Sequence, residues 1–522
     1  MDLRSVAVLG GGPGGLYVAR LLKLRWPDCD VRVHEQSPPA TTFGFGVGLA
    51  TRTQRNLSAA DPATFDDIVA RSHPHDMAMA VGDSRVQLSV GNLIAIGRST
   101  LLEVLRDHAL AAGVRIEHGR RVDVEELRSD PAVDLVVAAD GIGSTVRERY
   151  AAELGARVTT HDNLYLWAGT EQALPSAVFR PVETPVGTFV AHAYPYAADR
   201  STFLVETDAA TWRRAGFDAT TGRTPLDASD EESLAFLSKV FDDDLDGRPL
   251  VGNRTRWLRF RTVRCARWHL DDLVVLGDAA HTAHYSIGSG TKLAMEDGIA
   301  LVAALAEHAS VAAALTAYDE RRRPAVEHLQ DTAERSMRWW DAFPERLDLP
   351  VERLLVAYMT RAGKVDLQRF AALAPAVARA GLEQYAGVAP TGVPDARLDD
   401  WVLEQPLRRD PVRLPGRLVD APAAAGLDPW VLSAVPDAWG AGGDAAVAAA
   451  SGAAAAGRAV AVEPAPGTGT RSAALDVCEL AERVRREAGA LTVVRVAPAD
   501  RSVAAAALAS GRADLVELVP EG

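Results

Sequence analysis

The stretch VAVLGGGPGGLYVARLL, Val6 to Leu22, decides how this chain folds. An apolar strand, Ser5 to Leu9, runs into a glycine cluster and then into an apolar-periodic helix over Leu16 to Leu24. A second strand ends VRVHE at Glu35, completing a strand–helix–strand unit. Gly10, Gly12 and Gly15 satisfy G-x-G-x-x-G in that setting, with Gly14 inside the motif. Such glycines permit a tight turn and close approach of backbone to a pyrophosphate, and the helix N-terminus offers it free N–H groups and partial positive charge. Glu35 ends the second strand, where an acid accepts ribose hydroxyls and repels a 2′-phosphate. The slot therefore suits FAD or NAD and disfavours NADP. A glycine turn without a ligand is the bland alternative; strand, helix and terminal acid together weigh against it.

Two later segments repeat the theme. AADGIGSTVR, Ala138 to Arg147, and GDAAHTAHYSIGSGTKLAMEDG, Gly277 to Gly298, each follow an apolar strand and set an aspartate beside a glycine: Asp140 with Gly141, and Asp278 with Gly277. Asp278 is a candidate for a ribityl hydroxyl. The Gly288, Ser289 and Gly290 turn leads through Thr291 and Lys292 into a helix whose N-terminus can face a flavin's electron-rich edge. A second glycine turn so far downstream fits an extended cofactor touched at both ends, which is FAD better than NAD. His281, His284 and Tyr285 stand just before that turn, as candidates to deprotonate a phenol or relay its proton, or simply to pack the loop.

Composition narrows the partners. A chain of 522 residues, 48% hydrophobic and 24% charged, is globular, and at roughly 150 residues per domain it holds about three units. Lys and Arg number 56 against 70 Asp and Glu, so the net charge of −14 repels a nucleic-acid backbone. Cys29, Cys265 and Cys478 lack metal or redox spacing and fit a reduced cytoplasmic setting. No 18-residue apolar run occurs and no secretory pattern follows Met1, so the expectation is no metal, no membrane and no nucleic acid, with possible homo-oligomers.

The expected fold class is α/β: a Rossmann-like FAD-binding domain with an inserted, mainly antiparallel substrate sheet, a helical segment and a small degenerate α/β C-terminal region. The expected divisions are 1–155 and 268–385 for FAD, 156–267 for the substrate sheet and 386–522 for the remainder. From Val114, VRIEHGRRVDV alternates like two paired strands. NLYLWAGT, GTFVAHAYPY, STFLVET and NRTRWLRFRTV supply the antiparallel sheet, on which His192 and Tyr194 share one side as substrate candidates. Arg254, Arg256, Arg259 and Arg261 suggest a cationic stripe for CoA phosphates or NADPH, or else a charged strand edge. Ala421 to Thr470 holds 19 Ala and 8 Gly, which predicts a loosely packed or partly disordered region before a helix–strand–helix piece from Ala474 to Val519.

The order of these motifs resembles the single-component FAD-dependent aromatic hydroxylases. TFGFGVGL at Thr42 to Leu49, GRSTLL at Gly97, AHAY at Ala191, STFLVET at Ser201 and HTAHYSIGSGTKLAMED look like the branch containing salicylyl-CoA 5-hydroxylase and anthraniloyl-CoA monooxygenase. The resemblance covers roughly residues 1 to 385. It implies FAD as cofactor, NADPH or NADH as reductant and O2 as oxidant, with an electron-rich aromatic or heteroaromatic ring attacking a flavin C4a-hydroperoxide. It further implies that Gly10 to Gly15 and Glu35 hold the ADP half, that Arg98 lies near the flavin phosphate or ribityl chain, and that Asp140 and Gly141 serve both FAD and reduced nicotinamide. Gly46, Gly277, Asp278, Gly288, Gly290, Thr291 and Lys292 would adjoin the flavin.

Two substrate classes follow: a free phenolic or pyridinol ring, as in a natural-product tailoring hydroxylase, or an aryl-CoA thioester. Ala50, Thr51 and Arg52 stand where the branch usually carries a Phe-Ser-Asp type segment, which favours the first. Leu480 to Leu518 is similar to the end of an Old Yellow Enzyme-like reductase barrel. Too few residues remain after 389 for a complete barrel, so the reading is an eroded remnant in which Gly511 and Arg512 no longer suffice for FMN. A non-catalytic flavin-binding partner protein is the rival of another class.

Overall fold

The Ser5–Leu9 strand lies inside a parallel sheet, flanked by Asp30–Glu35 on one side and Leu135–Ala138 on the other. A computed structural model describes residues 3–39, 44–288, 290–387, 392–467 and 471–520. In strand order the sheet runs His269–Leu270, Leu273–Val275, Leu135–Ala138, Ser5–Leu9, Asp30–Glu35 and Arg115–His118; only the first is antiparallel to its neighbour. Its central strands are uninterrupted apolar runs because helices cover both faces of such a sheet. The alternation from Val114 yields one strand, not two: Arg115–His118 is followed by helix Val124–Arg128, which Asp123 caps by accepting from Glu125 N at 2.9 Å.

The antiparallel sheet sets Leu250–Val251, Ala156–Thr170, Arg200–Thr207, Gly187–Ala197 and Ala177–Thr184 side by side, and Trp257–Cys265 also pairs with Ala156–Thr170. Its register fixes what shares a face. Phe179, His192, Leu204 and Trp167 stand opposite one another across four strands, and Glu206 stands opposite Tyr165 two residues along.

The chain divides into two compact units: Met1–Ala78 with Gly91–Met337, and Met79–Val90 with Arg338–Gly522. The first joins most of the expected 1–155 segment and the inserted sheet to residues 268–337 of the expected return segment. The second begins at Arg338 and not near 386, because the helices that follow pack on the C-terminal elements. Arg353 Nε donates to Ala509 O at 2.9 Å, and the Tyr385 hydroxyl donates to Val402 O at 3.0 Å.

Within the second unit a five-stranded sheet, parallel throughout, runs Leu418–Val419, Leu515–Leu518, Thr492–Val496, Val460–Glu463 and Trp430–Ser433. The last four are neighbours both in sequence and in space, joined through helices Ala441–Ala455, Arg471–Glu487 and Arg501–Ala509. Each of these connections is a strand–helix–strand unit between parallel neighbours. The alanine-rich stretch, expected to be loose, supplies two of these strands and a helix that buries Gly443, Ala446, Val447 and Ala450. Small side chains here let the helix approach its neighbours closely, so few large residues are needed. Arg512 lies on the N-terminal side of the last strand, buried, with Nε on Ser510 Oγ at 2.8 Å and Nη2 on Thr360 Oγ1 at 3.2 Å.

Candidate active site

Helix Pro13–Arg25 opens directly from the glycine turn, with Pro13 in its first turn, Gly12 as N-cap and no side chain or acid occupying its first N–H groups. Gly10 has φ +103°, and a Cβ there would stand 2.3 Å from Ala139 O, so the turn must lie against the Asp140 segment. At Gly12 a Cβ would meet no protein atom within 4 Å: this glycine faces open space. Gly14 packs against Leu276 and Ala294, and Gly15 against the Gly10 carbonyl. Both Glu35 oxygens are held by backbone, with Oε2 accepting from Gly11 N and Oε1 from Ser37 N, each at 2.7 Å.

A cavity of about 330 Å³ is lined by Gly10, Gly11, Gly12, Glu35, Arg98, Asp140, Gly141 and Thr145 among others. Asp140 Oδ2 accepts from Thr145 N at 2.9 Å, while Oδ1 is buried with no hydrogen-bond partner among the described residues. Open glycine, backbone-fixed carboxylate, helix N-terminus and orphaned Asp140 oxygen fit an adenosine pyrophosphate with ribose hydroxyls. Arg98 begins helix Arg98–Ala111, and burial pushes its pKa down against the opposing charge of Asp278.

Arg147 binds the two aspartate loops to each other. Its Nη1 donates to Asp278 O and Ala279 O at 3.1 Å and its Nη2 to Ile142 O at 2.6 Å, and burial lowers its pKa. Gly277, at φ +59°, donates its N–H to Asp297 Oδ2 at 2.9 Å. Asp278 is exposed, and desolvation by the neighbouring protein raises its pKa, with the charges of His281 and Arg98 opposing. Gly290 comes to the same place, since a Cβ on it would lie 3.9 Å from Asp278 Oδ1. Gly288 ends the short turn Tyr285–Ile287 at φ +58°, and Thr291 and Lys292 occupy the first turn of helix Gly290–Glu307, with Lys292 Nζ 3.4 Å from Ile287 O. Ser289 of that turn, and Thr42 and Phe43 of the TFGFGVGL segment, lie outside the described residues.

The three residues before the turn part company. His281 is buried beneath Trp268, ring centroids 4.7 Å apart, with Nε2 2.7 Å from Asp297 Oδ2. His284 and Tyr285 instead reach the antiparallel sheet. The Tyr285 hydroxyl donates to Glu206 Oε1, His284 Nε2 lies 3.7 Å from the same oxygen, and His192 Nε2 lies 2.6 Å from Glu206 Oε2. Burial alone would raise Glu206, but the charge and hydrogen bond of His192, the charge of His284 and the Tyr285 hydroxyl outweigh it and hold the carboxyl below its ordinary value. Tyr165 tilts against Tyr285 at 5.0 Å, and Phe260 adjoins both His284 and Tyr285. Burial pushes Tyr165 up to about 12, with Arg261 lowering and Asp278 raising it.

Tyr194 is elsewhere on this face: its hydroxyl donates to Gly46 O at 2.7 Å, and burial raises it to about 12. Gly46 N in turn donates to Thr202 Oγ1 at 2.8 Å. The arginine stripe does not form. Arg254 and Arg256 precede the Trp257–Cys265 strand, register slips between Arg259 and Arg261, Arg256 donates to Thr221 O, and Arg259 to Asp162 O. Reading the sequence missed Glu206, Tyr165, Phe260 and Arg147. Glu206 lies within STFLVET, where an acid on a strand otherwise buried throughout was the available signal.

The model of an FAD binding domain family matches residues 4–333, most of the chain. The chain belongs to this family. A salicyloyl-CoA 5-hydroxylase of Streptomyces sp is 43% identical over 345 residues, a match covering 65% of this chain and 66% of that protein, just under two thirds of its length. A 3-hydroxy-4-methyl-anthranilyl-[aryl-carrier protein] 5-monooxygenase of Streptosporangium sibiricum is 38% identical, covering 69% and 95%. Among solved structures, 2-methyl-3-hydroxypyridine-5-carboxylic acid oxygenase aligns with a TM-score of 0.51 at 20% identity over 72% of this chain and 96% of that one, a likeness of fold. The expected α/β architecture and FAD as cofactor stand.

Proposed function

We propose that this family member, an FAD-dependent monooxygenase of aromatic rings, acts on a benzoyl thioester bearing a hydroxyl or amino group, adding oxygen para to that group. The observation that carries this is the half-open aromatic wall of Tyr285, Tyr165 and Phe260, backed by the buried Glu206 carboxylate, beside Asp278 at the flavin end of the glycine cradle. Both relatives named above act, by their names, on ring carbon 5 of an aromatic acid joined to CoA or a carrier protein. That supports a thioester over the free phenol or pyridinol.

Bound FAD supplies electron transfer from NADPH or NADH and activation of O2. The chain's own residues do the rest. Gly10 to Gly12, Glu35 and Arg98 hold the nucleotide half, Asp140 and Asp278 meet hydroxyls, and Arg147 keeps the two aspartate loops in register. The aromatic wall orients the ring and excludes water. His281 serves as a positioning residue through Asp297, while Tyr285 meets the ring and His284 and His192 meet Glu206.

The test is oxidation of NADPH and NADH under air with 2-hydroxybenzoyl-CoA, 2-aminobenzoyl-CoA and the corresponding free acids. Thioester-stimulated turnover with a product gaining one oxygen is the expected result. Stimulation by the free acids alone would overturn the thioester reading, and flavin binding without stimulation by any ring would overturn the enzyme reading.

A further inference from the structure

Arg98 and the Asp140–Gly141 loop both line the cofactor cavity, but different elements carry them. Arg98 makes no side-chain hydrogen bond among the described residues, so its place depends on the backbone that bears it. That backbone is tied to the Gly46–Leu49 strand: Arg98 N donates to Phe45 O at 2.6 Å, and Gly46 to Leu49 pair with Gly97 back to Ile94. The chain then enters helix Thr51–Ala60, where Gln54 Nε2 donates to Asn92 O at 2.6 Å and so ties the helix back to the strand that ends at Arg98. On the other side, Arg147 joins the Asp140–Gly141 loop to Asp278 O, and Gly277 N continues to Asp297. Arg322 then takes Asp297 Oδ1 with Nε at 2.7 Å and Glu296 Oε2 with Nη2 at 3.2 Å.

Glu296 is where these two paths meet. Its second oxygen, Oε1, accepts from Asn56 Nδ2 at 3.0 Å and Thr53 Oγ1 at 3.2 Å, both on helix Thr51–Ala60. Thr53 is buried, and the side chains of Glu296 and Arg322 are each only 15% exposed. A carboxylate has acceptor sites for both sets of donors at once, and in a site poor in water each bond is stronger than it would be at the surface.

We infer that Glu296 is a positioning residue for the cofactor site: by fastening helix Thr51–Ala60 to Arg322 it sets where Arg98 stands relative to the Asp140–Gly141 loop, and so how tightly FAD is held. This rests on the placement of Arg98 at the cofactor given above. Glu296 itself does not line the cavity, so its effect must pass through Arg98. Removing a residue that acts through another costs little once that other is gone, whereas a residue that merely stabilises the fold costs the same in either background.

The experiment is a double-mutant cycle read as the FAD dissociation constant of the full chain, with circular dichroism of each variant reporting folding. Glu296→Ala should weaken FAD about tenfold in the parent and in Glu35→Ala, but by no more than a few-fold in Arg98→Ala. Thr53→Val with Asn56→Ala removes the same fastening from the helix side and should reproduce the loss and its dependence on Arg98; this arm keeps the test open if Glu296→Ala does not fold. Undiminished FAD affinity in a folded Glu296→Ala, or a tenfold loss that persists in Arg98→Ala, overturns the inference. Failure of both the Glu296→Ala and the helix-side variants to fold assigns the network to folding and overturns it as well. If Arg98→Ala alone leaves FAD affinity unchanged, the placement of Arg98 falls and the inference with it; a loss in Arg98→Ala without one in Glu296→Ala leaves that placement standing and removes only the role of Glu296.

Discussion

His281 Nε2 lies 2.7 Å from Asp297 Oδ2, and that same carboxylate oxygen accepts the N–H of Gly277 at 2.9 Å. Arg322 Nε holds the other oxygen at 2.7 Å, and Asp297 has no exposed surface. One buried acid thus ties the start of the Gly277 loop to the helix that follows it. The histidine nearest the aspartate motif in sequence is engaged in this junction, whereas His284 and Tyr285 reach Glu206 on the antiparallel sheet.

Burial would raise Asp297, yet the charges and hydrogen bonds of His281 and Arg322 prevail and bring it down to about 2 from 3.8. A folded-state value below the unfolded one means that the stabilisation, about 2 kcal/mol, is complete above roughly pH 4 and is lost as pH falls toward 2. Asp297→Asn takes the charged acceptor from Arg322 Nε, His281 Nε2 and Gly277 N, leaving Arg322 only Glu296, so we expect a loss of about 3–5 kcal/mol at neutral pH. Denaturant titrations of both proteins should show that gap narrowing between pH 5 and pH 3. A gap independent of pH would contradict the ionised pairing.

The glycine turn separates folding from binding. Gly15→Ala puts a Cβ 2.0 Å from the Gly10 carbonyl and should cost about 1–3 kcal/mol or more in thermal unfolding. Gly12→Ala meets no protein atom, so its stability without cofactor should match the parent while FAD affinity falls, because the methyl occupies the cradle. Fluorescence titration of FAD alongside melting curves distinguishes the two. Gly12→Ala with full FAD affinity would place the cofactor elsewhere.

Glu35 should matter for the adenosine half alone. Removing it in Glu35→Ala strips the acceptor from Gly11 N and Ser37 N and removes the candidate ribose contact. FAD dissociation should rise about tenfold or more, with binding of riboflavin, which lacks the adenosine, changed far less. Equal losses for both ligands would contradict this placement.

All three cysteines, Cys29, Cys265 and Cys478, are buried and none forms a disulfide, and burial pushes Cys265 up to about 11. Thiolates are the reactive form. A disulfide-exchange reagent at pH 8 should therefore find no fast thiol in the native protein and three after denaturation; rapid native labelling would show that one of these sites opens.

The glycine cradle was legible in the sequence because each part of it is local. Gly10 needs its positive φ wherever the strand turns into the helix, and Glu35 must end the next strand, so spacing along the chain carries the geometry. The same holds for the aspartate–glycine loops, each of which follows its own strand. Single-strand periodicity also placed the antiparallel sheet, and failed where alternation after Val114 met a capped helix.

What the sequence could not decide was which side chains meet. Glu206 and Tyr285 are 79 positions apart, and the partnership exists only because register sets Glu206 opposite Tyr165 while the turn before Gly288 delivers Tyr285 to that face. His281 and His284, three residues apart and alike on paper, go to different acids for the same reason. The alanine-rich tail looked too poor in large side chains to pack, and its burial depends on helices approaching one another closely, a property of pairs of elements that no single segment displays. Local backbone geometry is written in neighbouring residues; long-range pairing is set by strand register and helix packing, so it was the tertiary structure that chose the acid behind the aromatic wall.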